Sequence, residues 1–217
     1  MGERPTVVLL HGLARSHRSL ARLRRSLEAA GYPTWSRSYP SRRQGVEQLA
    51  SEIGEQIREE LGNRPLFAVT HSMGGIIVRQ LARALPWRGS VLIAPPNRGS
   101  AVARLMRDAK IFQWFYGPAG QQLGAEPSEI ERWPAPPRPC GVIAGTQSFS
   151  LRNPTSWLTR ATGVLDGPSD GTVAVSETQL DEDALDGFVT LDANHTFIAN
   201  HPQTARLVVR FVSSGRF

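Results

Sequence analysis

Short apolar segments alternate with amphipathic helical segments along most of the chain, and this alternation limits the possible folds more than any other feature. The segments that we predict as strands are residues 5–10, 32–38, 66–70, 90–94, 140–144 and 187–191. Most of these segments are short continuous apolar runs, which are typical of strands that are covered on both faces. The sequence therefore predicts an α/β fold, with a doubly wound, mostly parallel, six-stranded sheet and helices on both faces.

The length and the break in this pattern predict the domain organisation. The chain has 217 residues, of which 40% are hydrophobic and 20% charged, and this suits one globular domain spanning 1–217. Between Pro95 and Pro139 the alternation stops, so we expect an insertion at about residues 97–139. It holds a cluster of apolar and aromatic residues: Ile111, Phe112, Trp114, Phe115 and Tyr116. They either line an apolar pocket beneath a small helical cap or simply pack the insertion onto the domain.

The chain has a net charge of +6, and nearly all of its positive charge is arginine, because Lys110 is the only lysine. The spacing of Arg15, Arg18, Arg22 and Arg25 places them on one face of a predicted helix at about residues 19–30. This face is either an ordinary solvated surface or a patch that attracts anionic lipid or acidic substrates. No aromatic residues alternate with these arginines, so we expect no nucleic-acid partner.

The strand at residues 66–70 runs directly into His71, Ser72 and Met73, and a helical pattern follows the two glycines after them. A serine at such a junction lies on a tight turn, with its hydroxyl above the edge of the sheet. An ordinary strand-to-helix loop is the alternative. We predict that Ser72 is a nucleophile.

A serine nucleophile needs a base, normally a histidine that a carboxylate orients. His195 follows the last predicted strand, at the same edge of the sheet as Ser72, because sites in such sheets lie beyond the carboxyl ends of the strands. We predict His195 as the base and Asp170, in a tight-turn sequence, as the acid. Asp166 is the competing acid.

Two backbone N–H groups are expected to stabilise the negative oxygen that forms when the serine attacks a carbonyl. One belongs to Met73, directly after Ser72. The other belongs to the loop after the first strand, where Leu13 is the candidate. These N–H groups, rather than the two side chains, would form the oxyanion hole.

The segments that carry these residues together resemble the α/β-hydrolase superfamily. The matching pieces are residues 11–13, 70–75, 96–100, 169–173 and 194–196. Within the superfamily the chain is similar to small bacterial lipases and esterases and to related GPI-deacylase-like proteins. The resemblance implies Ser72 as nucleophile, His195 as general acid/base and Asp170 as the supporting acid. Thr70 stands where many members carry glycine, which crowds the contact between strand and helix.

The function expected from these observations is hydrolysis of an apolar carboxylic ester, with a small ester or a lipid as substrate. A thioesterase or an acyltransferase would use the same residues, and a non-catalytic ligand-binding protein on this fold is the alternative from another class. We expect no metal and no cofactor, because histidines and cysteines do not pair at ligand spacing. Contact with a membrane surface has only the arginines in its favour.

The N-terminal residues and the single cysteine bear on where such a protein would work. No basic region followed by an apolar stretch opens the sequence, which predicts a cytoplasmic protein, with a secreted protein whose leader has been removed as the alternative. Cys140 opens an apolar segment, so we expect a buried structural residue rather than a nucleophile.

Overall fold

The computed structural model describes residues 3–125, 127–130, 132–151 and 153–217. In these residues six strands form one sheet in the order β2-β1-β3-β4-β5-β6, and every neighbouring pair is parallel. The strands are β1 (Thr6–Leu10), β2 (Thr34–Ser36), β3 (Leu66–His71), β4 (Trp87–Ile93), β5 (Cys140–Gly145) and β6 (Gly187–Leu191). The predicted parallel sheet is confirmed.

Helices cover the sheet and connect its strands. They are α1 (Ala21–Ala29), α2 (Val46–Leu61), α3 (Met73–Gln80), α4 (Ala101–Met106), α5 (Lys110–Leu123), α6 (Pro127–Ile130), α7 (Pro154–Thr162) and α8 (Pro202–Ser214). Short 3-10 helices lie at His17–Leu20, Ser176–Thr178, Glu182–Ala184 and Ile198–Asn200. Within the described ranges, no helix combines the length and the apolar character needed to cross a bilayer.

Alternate residues of the central strands enter separate cores. Val8 and Leu10 of β1 belong to a buried cluster with residues of α2 and α3. Val7 and Leu9 belong to a second cluster, which includes Leu23 of α1 and Phe211 of α8. Because successive side chains of a strand point to opposite faces, apolar residues are needed at every position of β1. Helices on both faces, as predicted, are confirmed.

The start of the chain differs from the prediction in two places. Strand β2 covers three residues rather than seven, because it lies at the edge of the sheet and pairs only with β1. The grouping of four arginines on one helical face is wrong for Arg15. This residue precedes the 3-10 helix at His17–Leu20, and the α-helix begins only at Ala21.

Residues 97–139 contain α4, α5 and α6 and pack over the turn before α2. At Gly117 the backbone of α5 kinks with a φ of 62°, and an added Cβ would lie 1.8 Å from the Arg42 carbonyl oxygen. Gln122 of α5 accepts a hydrogen bond from Val46 N–H at the start of α2 and donates one to Glu47. The insertion is thus joined to α2 by specific contacts. The side chains of Ile111, Phe112 and Phe115 lie outside what the structure describes.

Candidate active site

Ser72 lies on a strained turn between β3 and α3. Its φ of 53° and ψ of −126° are unusual for a residue with a side chain, and such conformations cost on the order of 1–3 kcal/mol. The Ser72 N–H donates to the Ile93 carbonyl (2.8 Å), and the Ser72 carbonyl accepts from Gly75 N–H (2.9 Å). These bonds hold the turn at the carboxyl end of the sheet.

Two glycines allow the backbone to approach this turn closely. A Cβ on Gly74 would lie 2.5 Å from the Leu10 carbonyl oxygen, and a Cβ on Gly12 would lie 3.0 Å from Ser72 Cβ. Helix α3 can therefore sit against the end of β1, and the loop after β1 can lie beside Ser72. Thr70 is fully buried next to Gly75, so the threonine that departs from the usual glycine is accommodated.

His195 lies in the loop after β6 and contacts both predicted partners. Its Nε2 is 3.0 Å from Ser72 Oγ, and its Nδ1 is 2.6 Å from Asp170 Oδ2. Because a carboxylate only accepts hydrogen bonds, this contact places the ring proton on Nδ1. The lone pair of Nε2 then faces the Ser72 hydroxyl, as proton abstraction requires.

Asp170 is held in position by its own turn. Its Oδ1 accepts hydrogen bonds from Thr172 N–H (3.0 Å) and Val173 N–H (2.8 Å), which leaves Oδ2 for His195. The side chain is 1% exposed. Asp166, the competing acid in the sequence, is exposed, so the structure brings Asp170 rather than Asp166 to His195.

Leu13 and Met73 carry the two N–H groups predicted to face a developing negative oxygen. Met73 is the first residue of α3, where N–H groups lack partners within the helix. In the described part of the chain, neither N–H donates a hydrogen bond to another residue. Both residues lie next to the Ser72 turn. Met73 directly follows Ser72, and Leu13 follows Gly12, whose backbone lies beside Ser72.

A cavity of about 300 Å³ opens onto Ser72 and His195. Its lining residues include Leu13, Ala14 and Arg15 of the loop after β1, and Val102, Ala103, Tyr116, Gly120 and Leu123 of α4 and α5. The residues of α4 and α5 give it a mainly apolar wall. The cavity therefore suits an uncharged hydrocarbon group beside the Ser72 hydroxyl.

The comparisons with known proteins agree with this geometry. The sequence profile described as "Alpha/beta hydrolase family" matches residues 7–208. The chain belongs to the alpha/beta hydrolase family. A comparison with curated proteins finds no match.

Solved structures of other hydrolases share the fold. The mature form of the lipase BlEst2 from Bacillus licheniformis is 16% identical, with a TM-score of 0.76, and the match covers 96% of this chain and 92% of that one. The monoacylglycerol lipase of Paleococcus ferrophilus is 18% identical, with a TM-score of 0.63 and coverages of 99% and 96%. For the phospholipase PlaB from Legionella pneumophila the values are 21%, 0.72, 97% and 60%. The hydrolase thus spans about three fifths of PlaB.

Two further histidines of the hydrolase support the site without contacting Ser72 Oγ. His71 Nε2 donates to the His195 carbonyl (3.0 Å), and burial is the main reason why the His71 pKa lies well below its ordinary value. His11 is stacked on Tyr39, and burial lowers its pKa to about 4. Both imidazoles are therefore neutral at pH 7, and each holds a loop that lines the cavity.

These lowered pKa values predict that the hydrolase loses stability in mild acid. The unfolded chain takes up protons at histidine near pH 6.5, whereas folded His11 takes one up only near pH 4. The contribution of His11 is thus complete above pH 6.5 and falls by about 3 kcal/mol as the pH drops to 4. Urea denaturation of wild type and His11→Asn at pH 7.5, 6 and 5 measures this effect. The difference in unfolding free energy should shrink towards pH 5, and a constant difference would contradict the assignment.

Arg79 of α3 joins the two ends of the 97–139 segment. It donates to the main-chain carbonyls of Asn97 (2.9 Å), Trp133 (3.0 Å) and Pro134 (2.7 Å). The residue is 5% exposed, and burial lowers its pKa to about 10. Helix α3, which begins beside Ser72, thus also fixes the stems of the insertion.

Replacing Arg79 by methionine should destabilise the hydrolase by about 2–4 kcal/mol, because three carbonyls lose their donors and buried groups without partners cost 1–3 kcal/mol each before relaxation. Urea denaturation measures the loss, and hydrogen exchange should show faster exchange in residues 97–139. Arg83→Met, at an exposed arginine one turn later, is the matched control. Equal stability of the two variants would contradict this role of Arg79.

Glu177 links the insertion to the loop that carries Asp170. Its carboxylate accepts hydrogen bonds from Ala101 N–H (2.5 Å), at the start of α4, and from Ala174 N–H (2.8 Å). Burial raises the pKa of this carboxyl above its ordinary value. Glu177 therefore positions the Asp170 loop against α4.

Arg79 and Glu177 were not predicted from the sequence. Arg79 is the only Lys, Arg, Asp or Glu between Leu66 and Leu81, and a lone charge within an apolar segment was a usable signal. Glu177 lies among other acidic and polar residues, where nothing in the pattern distinguishes it.

Proposed function

We propose that the protein is a serine hydrolase that cleaves carboxylic esters with an apolar acyl group through an acyl-enzyme. The observation that carries this proposal is the continuous chain of hydrogen bonds from Asp170 through His195 to Ser72, at the wall of an apolar cavity. Membership of the alpha/beta hydrolase family supports it. In this proposal Ser72 is the nucleophile, His195 the general acid/base and Asp170 the supporting acid.

Acylation begins when Ser72 Oγ attacks the ester carbonyl carbon and its proton passes to His195 Nε2. The electrons of the carbonyl double bond move to oxygen, which the Leu13 and Met73 N–H groups stabilise by about 3 kcal/mol each. As the carbonyl reforms, the bond to the alcohol oxygen breaks. The alcohol leaves with the proton from His195, while Asp170 stabilises the imidazolium.

Deacylation repeats these steps with water. His195 Nε2 accepts a proton from water, and the resulting nucleophile attacks the acyl carbonyl carbon. The oxyanion returns to the same two N–H groups. When the bond to Ser72 Oγ breaks, the serine regains its proton from His195 and the carboxylic acid departs.

The walls of the cavity favour an acyl chain as the occupant. Val102, Ala103 and Leu123 form an apolar part of the cavity that Ser72 also lines. We propose that residues 1–217 act as one domain and that the 97–139 segment is its cap.

Exposed large apolar residues lie on elements that contribute to the cavity or adjoin it: Leu105, Trp114, Phe149, Leu151, Trp157 and Phe197. They support a substrate presented by a micelle or a lipid surface.

A series of p-nitrophenyl esters with acyl chains of increasing length tests this function. We expect wild type to hydrolyse these esters, with the highest kcat/KM for the acyl chain whose length fills the cavity. Ser72→Ala should show no hydrolysis above background. The thioester of the best acyl chain separates ester from thioester preference. A fluorophosphonate probe should label Ser72 in folded protein but not after heat denaturation. Absence of both labelling and turnover would contradict the proposal.

A further inference from the structure

A second cavity adjoins the one at Ser72. It has a volume of about 450 Å³ and is lined by Ala14, Arg15, Tyr39, Pro40, Ser41, Arg42 and Arg43. Ala14 and Arg15 line both cavities. These two residues therefore lie between the apolar cavity at Ser72 and the second cavity, which we call the arginine recess.

The arginine recess is strongly positive. Three of its seven lining residues are arginines, and among the described residues that line the two cavities none is acidic. Arg15 Nη2 donates to the neutral Thr196 Oγ1 (3.2 Å), directly after His195 in sequence. After the larger effects of burial and His195, the charge of Arg15 also lowers the pKa of His71. The Arg15 guanidinium thus lies close to the catalytic loop.

Two arginines of the recess have no acidic partner among the described residues. The ion pairs of these residues include neither Arg15 nor Arg43. Several exposed arginines elsewhere do pair with acids, as Arg37 does with Glu60 and Arg138 with Asp186. Arg15 and Arg43 thus offer two guanidinium groups without an acidic partner in the described part of the chain, in a recess that shares lining residues with the Ser72 cavity. Guanidinium groups are well suited to bind an anion.

The backbone that carries these arginines is fixed. Ala14 N–H donates to Ser41 Oγ (3.0 Å), which joins the loop after β1 to the turn at the recess. Arg15 N–H donates to the Gly12 carbonyl (3.3 Å), and Arg43 N–H donates to the Pro40 carbonyl (2.9 Å). The loop that offers the Leu13 N–H to the ester therefore also carries Arg15, two residues later.

We infer that the substrate is an acyl ester whose alcohol part bears a phosphate group, which Arg15 and Arg43 bind while the acyl chain occupies the cavity at Ser72. This inference rests on the proposed function. A phosphate monoester carries about −1.5 to −2 charges at pH 7, which matches two guanidinium groups. Guanidinium also presents its N–H groups in a geometry that suits phosphate oxygens. The substrate class is an acylated polyol phosphate, such as a monoacylglycerol phosphate.

The test compares monooleoylglycerol with monooleoylglycerol 3-phosphate, which share one acyl chain and one ester bond. Both are presented in neutral detergent micelles at a fixed molar ratio, and kcat/KM is measured for each. Wild type should prefer the phosphate by about ten- to a hundredfold, as expected for a pair of hydrogen-bonded charge contacts. Arg15→Gln and Arg43→Gln should each reduce this ratio by about tenfold, mainly through KM. Arg206→Gln, at an exposed arginine of α8, should leave the ratio unchanged.

The outcomes separate this inference from the proposed function. Equal kcat/KM values for the two substrates, or a ratio that survives both Arg15→Gln and Arg43→Gln, would overturn the inference. Hydrolysis that is lost in Ser72→Ala would leave the proposed function standing in that case. Phosphatidylglycerol added to the micelles could raise kcat/KM for monooleoylglycerol as much as the phosphate group on the substrate does. That result would overturn the inference and indicate attraction to an anionic surface instead. No turnover of either substrate and no fluorophosphonate labelling would overturn both.

Discussion

Ser72→Ala should lower kcat for a p-nitrophenyl ester by at least about 10⁴-fold, the range found when the nucleophile of a serine hydrolase is removed. In the proposed mechanism this hydroxyl forms the acyl-enzyme, and its Oγ is 3.0 Å from His195 Nε2. KM should change little, because the cavity walls remain. Steady-state kinetics at saturating ester measures the effect.

Ser72→Gly is the matched control for this variant. Alanine keeps the strain of the positive φ at residue 72, whereas glycine adopts such conformations readily. Both variants should be inactive, and Ser72→Gly should be more stable than Ser72→Ala by about 1–3 kcal/mol. Activity retained in either variant would exclude Ser72 as the nucleophile. Equal stability would show that the turn is not strained.

Asp170→Asn should lower kcat by about 10⁴-fold without unfolding the protein. An asparagine Oδ1 can still accept the hydrogen bonds from Thr172 and Val173 N–H, so its amide group faces His195 Nδ1. An amide donor favours the tautomer with the proton on Nε2. Such an imidazole cannot accept the proton of Ser72.

The comparison with Asp166→Asn makes this prediction specific. Asp166 is exposed, so its variant should keep wild-type kinetics, and both variants should unfold at urea concentrations close to that of wild type. The rate of fluorophosphonate labelling should fall in Asp170→Asn alone. A loss of activity in Asp166→Asn with Asp170→Asn unaffected would contradict the role given to Asp170.

The central strands were predictable because burial on both faces leaves a strong mark on the sequence. Strands β1, β3 and β5 lie between helix layers, so continuous apolar residues show them within a residue or two. The edge strand β2 has one partner, and its flanking residues gave no sign of where pairing stops. The helical face predicted from the arginine spacing also wrongly included Arg15, because periodicity does not reveal where a loop becomes a helix.

The three residues of the candidate site were predictable because a serine nucleophile needs a histidine and a carboxylate, and the sequence offers few of either at the right edge of the sheet. A serine between a strand and a helix, a histidine after the last strand and an aspartate in a tight turn all lie at one edge of a parallel sheet. The supporting contacts were not predictable. Arg79 binds main-chain carbonyls, and any residue type supplies these. The arginine recess likewise forms only when the turn at Tyr39 meets the loop after β1.

Direct detection of the acyl-enzyme tests the central claim, that Ser72, His195 and Asp170 act together on an ester. Wild type is mixed with the best p-nitrophenyl ester, quenched in acid within milliseconds and digested for mass spectrometry. We expect the peptide containing Ser72 to gain the mass of the acyl group, and Asp170→Asn to form this adduct far more slowly. Turnover with the acyl group on a residue other than Ser72 would contradict this claim. Adduct formation in Asp170→Asn at the wild-type rate would contradict it as well.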